Sequence, residues 1–167
     1  VGGGVYCNKA LVTFSNNSVI DNEVITPSII TNVGAGGLLV SNCPNGSIIS
    51  NNLFRNNSSD SWCGALNVSG FSGNTQLITI KNNLFIENEA DEWGGALGIV
   101  DYNAMLVNNV FSHNTAKWGG VGYIDKTNVT PGVHNAWLIN NTFSYNEASV
   151  LCGAFDFKDS NPLIMNS

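Results

Sequence analysis

Five Asn-Asn pairs recur along this chain, at Asn16-Asn17, Asn51-Asn52, Asn82-Asn83, Asn108-Asn109 and Asn140-Asn141, each in the same frame. An apolar residue stands two positions before the pair (Phe14, Ile49, Ile80, Leu106, Leu138). A large apolar residue stands two positions after it (Val19, Phe54, Phe85, Phe111, Phe143), and a further Asn three beyond that (Asn22, Asn57, Asn88, Asn114, Asn146). Ile164, ahead of Asn166, begins a sixth copy. A pair of small residues alternates with this motif: Gly3-Gly4, Gly36-Gly37, Cys63-Gly64, Gly94-Gly95, Gly119-Gly120 and Cys152-Gly153. Self-similarity at such a period is the mark of a stacked repeat, in which each unit buries its apolar face on its neighbours.

The spacing separates skeleton from insertion. From the second Asn of a pair to the second residue of the next small pair takes 12, 12, 11 and 12 residues in the last four copies, and 20 in the first. The return arc varies, at 13, 15, 19, 14 and 21 residues. Within one copy Ile78 and Ile80 alternate with Thr79 and Lys81, which is a strand period. Ile80 to Phe85 is an odd step, so the chain must bend between them, at Asn82-Asn83. Asn tolerates the left-handed conformation that such a bend needs. Stacked copies would let Asn side chains bond as ladders and pile the Phe column into a core. The small pairs would provide a tight corner or a close backbone approach. The fold expected is all-β: a right-handed parallel β-helix of about five to six coils with about 30 residues per coil. It forms a single domain over 1–167.

Composition agrees. The chain has 27 Asn and 18 Gly, and only 11% charged residues where ~25% is usual. Such a composition excludes a coiled coil. Six Lys and Arg against twelve Asp and Glu leave no basic footprint for nucleic acid. No apolar run is long enough for a membrane helix, so no membrane insertion is expected.

The alternation of Phe-x-x-Asn with Gly-Gly-Ala-(Ile/Leu/Val) resembles the repeats of the chlamydial polymorphic outer membrane proteins. The first motif stands here as Phe54-Arg55-Asn56-Asn57, Phe85-Ile86-Glu87-Asn88, Phe111-Ser112-His113-Asn114 and Phe143-Ser144-Tyr145-Asn146. The second stands as Cys63-Gly64-Ala65-Leu66, Gly94-Gly95-Ala96-Leu97, Gly119-Gly120-Val121 and Cys152-Gly153-Ala154-Phe155. The resemblance covers nearly the whole chain. The first copy departs from it, with Val19 in place of Phe and an insertion over Glu23 to Ala35. It implies a non-enzymatic extracellular module at the cell surface, adhesive or structural in role. The chain opens on a small pair and stops within a repeat, without a cap at either end. It is therefore expected to be a segment of a longer β-helix or a subunit stacking head to tail on itself in a filament.

Sites of chemistry are few. Carbohydrate-active β-helices exist, so binding or cleavage of surface glycans is the rival reading, and cleavage would need paired carboxylates. The densest acidic cluster, Glu87, Glu89, Asp91 and Glu92 beside Trp93, is expected to be a solvated turn with no acidic column above or below. Asp101, Asp156 and Asp159 share no column either. No catalytic residue, metal site or cofactor is expected; His113 and His134 are isolated, and no C-x-x-C is present. Trp62, Trp93, Trp118 and Leu151 precede the small pairs as one stripe, which the apolar Leu151 assigns to the core. Cys63 and Cys152 are expected to be small buried substitutes for Gly, whereas Cys7 and Cys43, in adjacent coils, are placed for a disulfide.

Seven Asn-x-Ser/Thr sequons occur, at Asn16, Asn45, Asn56, Asn57, Asn67, Asn128 and Asn140. Asn16, Asn57 and Asn140 are assigned to ladder columns, leaving Asn45, Asn128 and Asn67 as glycosylation candidates. Finally, the long insertions Val68 to Thr75 and Ile124 to His134 flank a coil with almost none. Two loops on either side of a bare coil would frame a groove floored near Asp101-Tyr102-Asn103.

Overall fold

A computed structural model describes residues 2–25, 34–126 and 132–167. Its regular structure is entirely β, with every strand pairing parallel. The bare coil shows the unit: strands Leu97–Val100, Asn103–Val107, Val110–Ser112 and Thr115–Trp118. Each belongs to a different sheet, and successive coils stack to give sheets of six, six, five and five strands in this order around the coil. The chain is a parallel β-helix.

Four left-handed residues turn each regular coil, because a residue with positive φ reverses the pleat and lets side chains on both flanking strands point inward. The first Asn of every pair is one of them: Asn16, Asn51, Asn82, Asn108 and Asn140, with φ between 53° and 61°. The next corner is taken by Asp21, Asn56, Glu87, His113 and Tyr145, the third by Cys63, Gly94, Gly119 and Cys152, and the fourth by Lys9, Asn42, Asp101 and Asp159. Asn166 repeats the pattern in the last coil.

The second Asn does a different job. Asn17, Asn52, Asn83, Asn109 and Asn141 form a ladder. The Oδ1 of Asn83 accepts both the backbone N–H and the Nδ2 of Asn52, each at 3.0 Å. Its own Nδ2 donates to Ile49 O and to Asn109 Oδ1, both at 3.0 Å. Asn22, Asn57, Asn88, Asn114 and Asn146 repeat the scheme one corner on. Asn fits because the column asks one short side chain for an acceptor and two donors. An Asp column would lose both donors and stack like charges every ~4.8 Å.

Between the ladders runs the core. Phe54, Phe85 and Phe111 stack with ring centroids 4.8 Å apart, and Phe143 follows at 5.5 Å. Facing them are the inward columns Leu38-Leu66-Leu97 and Val40-Val68-Ile99-Ile124 of the first sheet and Ile49-Ile80-Leu106-Leu138 of the second.

Both expected uses of the small pair are real, one per residue. In the last four pairs its first member is the left-handed corner. The second has no space for a side chain: a Cβ on Gly64 would overlap the Gly95 carbonyl, and one on Gly95 or Gly120 the carbonyl of the next coil. Register corrects the early pairs by one residue, since Gly36 bonds to the Cys63 carbonyl and Gly2 bridges to Ala35. The structural equivalents of Cys63-Gly64 are therefore Gly2-Gly3 and Ala35-Gly36.

Three other expectations are corrected. The tryptophans form a column, but it lies outside the coil wall. Trp93 stacks on Trp118 at 4.8 Å, and Trp62 covers a second small cluster of Ala35, Leu39 and Cys63 on the outer face of the first sheet. Their position next to the left-handed corner carries them over that outer face. Cys63 is fully buried, whereas Cys152 is exposed. Cys7 and Cys43 are free thiols. Cys7 pairs level with Val40, so Cys43 lies past the next corner and turns its Sγ to the Cys7 carbonyl at 3.8 Å instead of to sulfur.

Candidate functional site

The two long insertions do frame a cleft. Both leave the same corner, between the first and second sheets: 70–76 in one coil and, two coils later, a connection of which Lys126 and 132–135 are described. In the coil between them only Asp101 and Tyr102 make the connection, so the described residues of the two longer connections flank a short one. The cleft has a volume of about 480 Å³ and is lined by Gly73, Asn74 and Thr75 on one side and by Lys126, Val133, His134 and Asn135 on the other. Asn103 forms its floor, as the loop lengths anticipate, with Tyr102 buried beneath and donating its hydroxyl to the Cys43 carbonyl.

Trp137, which sequence reasoning missed, completes the lining. It lies on the strand Ala136–Ile139, where Ala136 and Leu138 point inward and Trp137 therefore points out. A lone Trp on a strand carries no repeat signal.

The wall is rich in donors. Asn103 donates its Nδ2 to Thr75 O at 3.0 Å. Asn135 is buried, and its Oδ1 accepts the Asn161 N–H at 2.6 Å. Its Nδ2 has no acceptor among the described residues. Asn74 likewise commits its Oδ1, to the Gln76 N–H at 2.8 Å, and leaves its Nδ2 without an acceptor. Lys126 is 7% exposed and donates to the Asn74 carbonyl, joining one loop to the other. Burial pulls its ammonium below the usual lysine range, and the charge of Asp101 acts in the opposite direction. His134 is exposed, with Nδ1 at 3.2 Å from Asn161 O.

A second polar surface corrects the reading of the acidic cluster. The outer face of the fourth sheet carries the column Glu23, Ser58, Glu89, Thr115, Glu147, each in register with the next. Acids and hydroxyls alternate, so the carboxylates recur every second coil, ~9.6 Å apart at the spacing of parallel strands. Asp91 lies two residues from Glu89 on the same face. Between these strands the register slips where Thr115–Trp118 is one residue shorter than Glu89–Trp93. A shallow trough of about 370 Å³ lies there, lined by Glu89, Asp91, Thr115, Lys117, Glu147 and Ser149. Lys117 pairs with Glu92 at 3.4 Å and sits over the Trp118 ring at 4.2 Å. Glu89, Asp91 and Glu147 are all solvent-exposed. Among the described residues no three His, Cys, Asp or Glu side chains gather to hold a metal ion.

The sequons are also redistributed. Asn67 is completely buried and donates to Gly34 O at 3.1 Å, so it cannot carry a glycan. Asn57 lies in its ladder as expected. Asn16 and Asn140 do not; they are the exposed, left-handed members of their pairs. Asn45 is exposed, with its Oδ1 accepting the Leu77 N–H at 3.0 Å. Asn128 lies outside the described residues.

No family model, no curated protein and no solved structure matches this chain.

Proposed function

We propose that this chain is a non-enzymatic extracellular adhesive module, a stiff β-helical stem that offers its loop-framed cleft to a surface glycan. The observation that carries this reading is the cleft between residues 73–75 on one side and Lys126 and 132–135 on the other, across one bare coil, with an outward Trp137 and several amides in its lining. A pyranose presents an apolar face, which an aromatic side chain covers, and a rim of hydroxyls, which amides bond. The resemblance of the repeats to those of surface proteins supports the location.

Binding of the folded chain to an immobilised glycan panel tests the reading. Retention of at least one glycan class by the wild type, and its loss in Trp137→Ala at unchanged thermal stability, is the expected result. No retention, or equal retention by both proteins, would overturn it.

The acidic trough favours a second reading, carbohydrate cleavage, because Glu89, Asp91 and Glu147 line one open face. Against it, a general acid is kept protonated by apolar surroundings, and these three carboxylates face solvent. New reducing ends from a polysaccharide panel, absent in Glu89→Gln, would establish cleavage.

A further inference from the structure

We infer that the sugar this cleft takes is acidic, a saccharide bearing a carboxylate; the inference rests on the glycan-binding reading above. The distribution of charge points that way. The chain carries twelve Asp and Glu against six Lys and Arg, yet among the described residues the cleft is lined by Lys126 and His134 and by no carboxylate. The trough of the fourth sheet shows the opposite balance, with three carboxylates and one lysine. A cleft without acids in an acidic protein is electrostatically set apart from the rest of the surface.

Hydrogen bonding adds an independent observation. Asn135 is 3% exposed, its Oδ1 is committed to Asn161 N–H, and its Nδ2 meets no acceptor among the described residues. A buried donor left unpaired is costly, and because this Nδ2 is closed to solvent a ligand oxygen reaches it only as the wall opens on binding. The Lys126 ammonium in the same wall is held to the opposite loop through Asn74 and feels the charge of Asp101, which lies outside the lining; within the cleft an anionic oxygen suits it better than a hydroxyl. Trp137 and Val133 supply the apolar surface for the ring, so the fit is to a carboxylated sugar and not to a bare anion.

Calorimetric titration of the folded chain with galacturonate, glucuronate and mannuronate tetramers, each beside its carboxyl-reduced counterpart, tests the inference. One acidic tetramer is expected to bind at least tenfold more tightly than its reduced form. Lys126→Met should reduce that preference to within about twofold while leaving the affinity for the reduced form unchanged. His134 is exposed, so His134→Ala is a second variant that tests the lining without disturbing a buried position, and it should lower the preference for the acidic tetramer. Equal binding of acidic and reduced forms would overturn the inference while leaving the glycan reading standing. Absence of binding to both, together with an empty glycan panel, would overturn the two together.

Discussion

Gly98 leaves room for the thiol of Cys63: a Cβ on Gly98 would overlap the Cys63 Sγ. The two residues belong to adjacent coils, Gly98 on the outer face of the first sheet and Cys63 at the left-handed corner below it. Gly98 therefore meets a requirement of shape, and its cost in strand propensity is offset by filling the space with sulfur. Gly98→Ala should destabilise the protein by roughly 1–3 kcal/mol through overpacking. Adding Cys63→Gly should recover much of that loss, with a coupling of about 1 kcal/mol or more in urea unfolding. Strictly additive effects would show that the clash is absorbed elsewhere.

Neighbouring asparagines should respond in opposite ways. Asn82 is exposed with φ 56°, a conformation that glycine adopts freely, so Asn82→Gly should change stability by no more than about 0.5 kcal/mol. Asn83→Ala removes the acceptor used by the Asn52 N–H and Nδ2 and the donor to Ile49 O, all inside the stack. Its cost should be roughly 3 kcal/mol or more. Equilibrium urea unfolding of the two variants is the check, and similar losses in both would refute the division of labour within the pair.

Glu87 holds the left-handed corner that Asn56 holds one coil below, with φ 57° and its side chain in solvent. A long side chain has no local bond to offset the strain of that conformation, whereas Asn does. Glu87→Asn should therefore raise stability by about 0.5–1 kcal/mol. A fall in the thermal midpoint would mean that Glu87 makes a favourable contact that outweighs the strain.

The β-helix is legible in the sequence because Asn-Asn, the Phe column and the small pairs recur at every coil and each satisfies a requirement of stacking. The cleft floor is legible for a related reason: loops that depart from the repeat stand out by length. What the repeat does not specify is harder to see. The acidic column escapes notice because Ser58 and Thr115 interrupt Glu23, Glu89 and Glu147, doubling the period of the charge. Trp137 is a single outward residue, and buried Asn67 bonds to the Gly34 carbonyl, a residue outside the repeated motifs. The tryptophan stripe reads as apolar either way; only the corner geometry turns it outward, onto Leu39 and Cys63.

Alkali should unfold this protein through buried groups that resist losing their protons. Burial pushes the Cys63 thiol far above its ordinary value of 9.0. It also raises the Tyr123 hydroxyl above its ordinary 10.0, helped by the hydrogen bond to Asp125 at 2.9 Å and by the charges of Asp125, Asp156 and Asp159. Both folded values exceed the unfolded ones. Below about pH 9 both states keep these protons, and neither group makes stability depend on pH. As pH rises past 9 the unfolded chain releases the thiol proton that the folded protein retains, and past 10 it releases the tyrosine proton as well. Stability is therefore expected to fall with pH from about 9 upward, more steeply beyond 10. In Cys63→Ala the slope between pH 9 and 10 should be shallower, with the tyrosine limb unchanged. Urea midpoints measured from pH 8 to 11 check this, and identical slopes in the two proteins would show that the Cys63 thiol ionises as readily in the folded protein as in the unfolded chain.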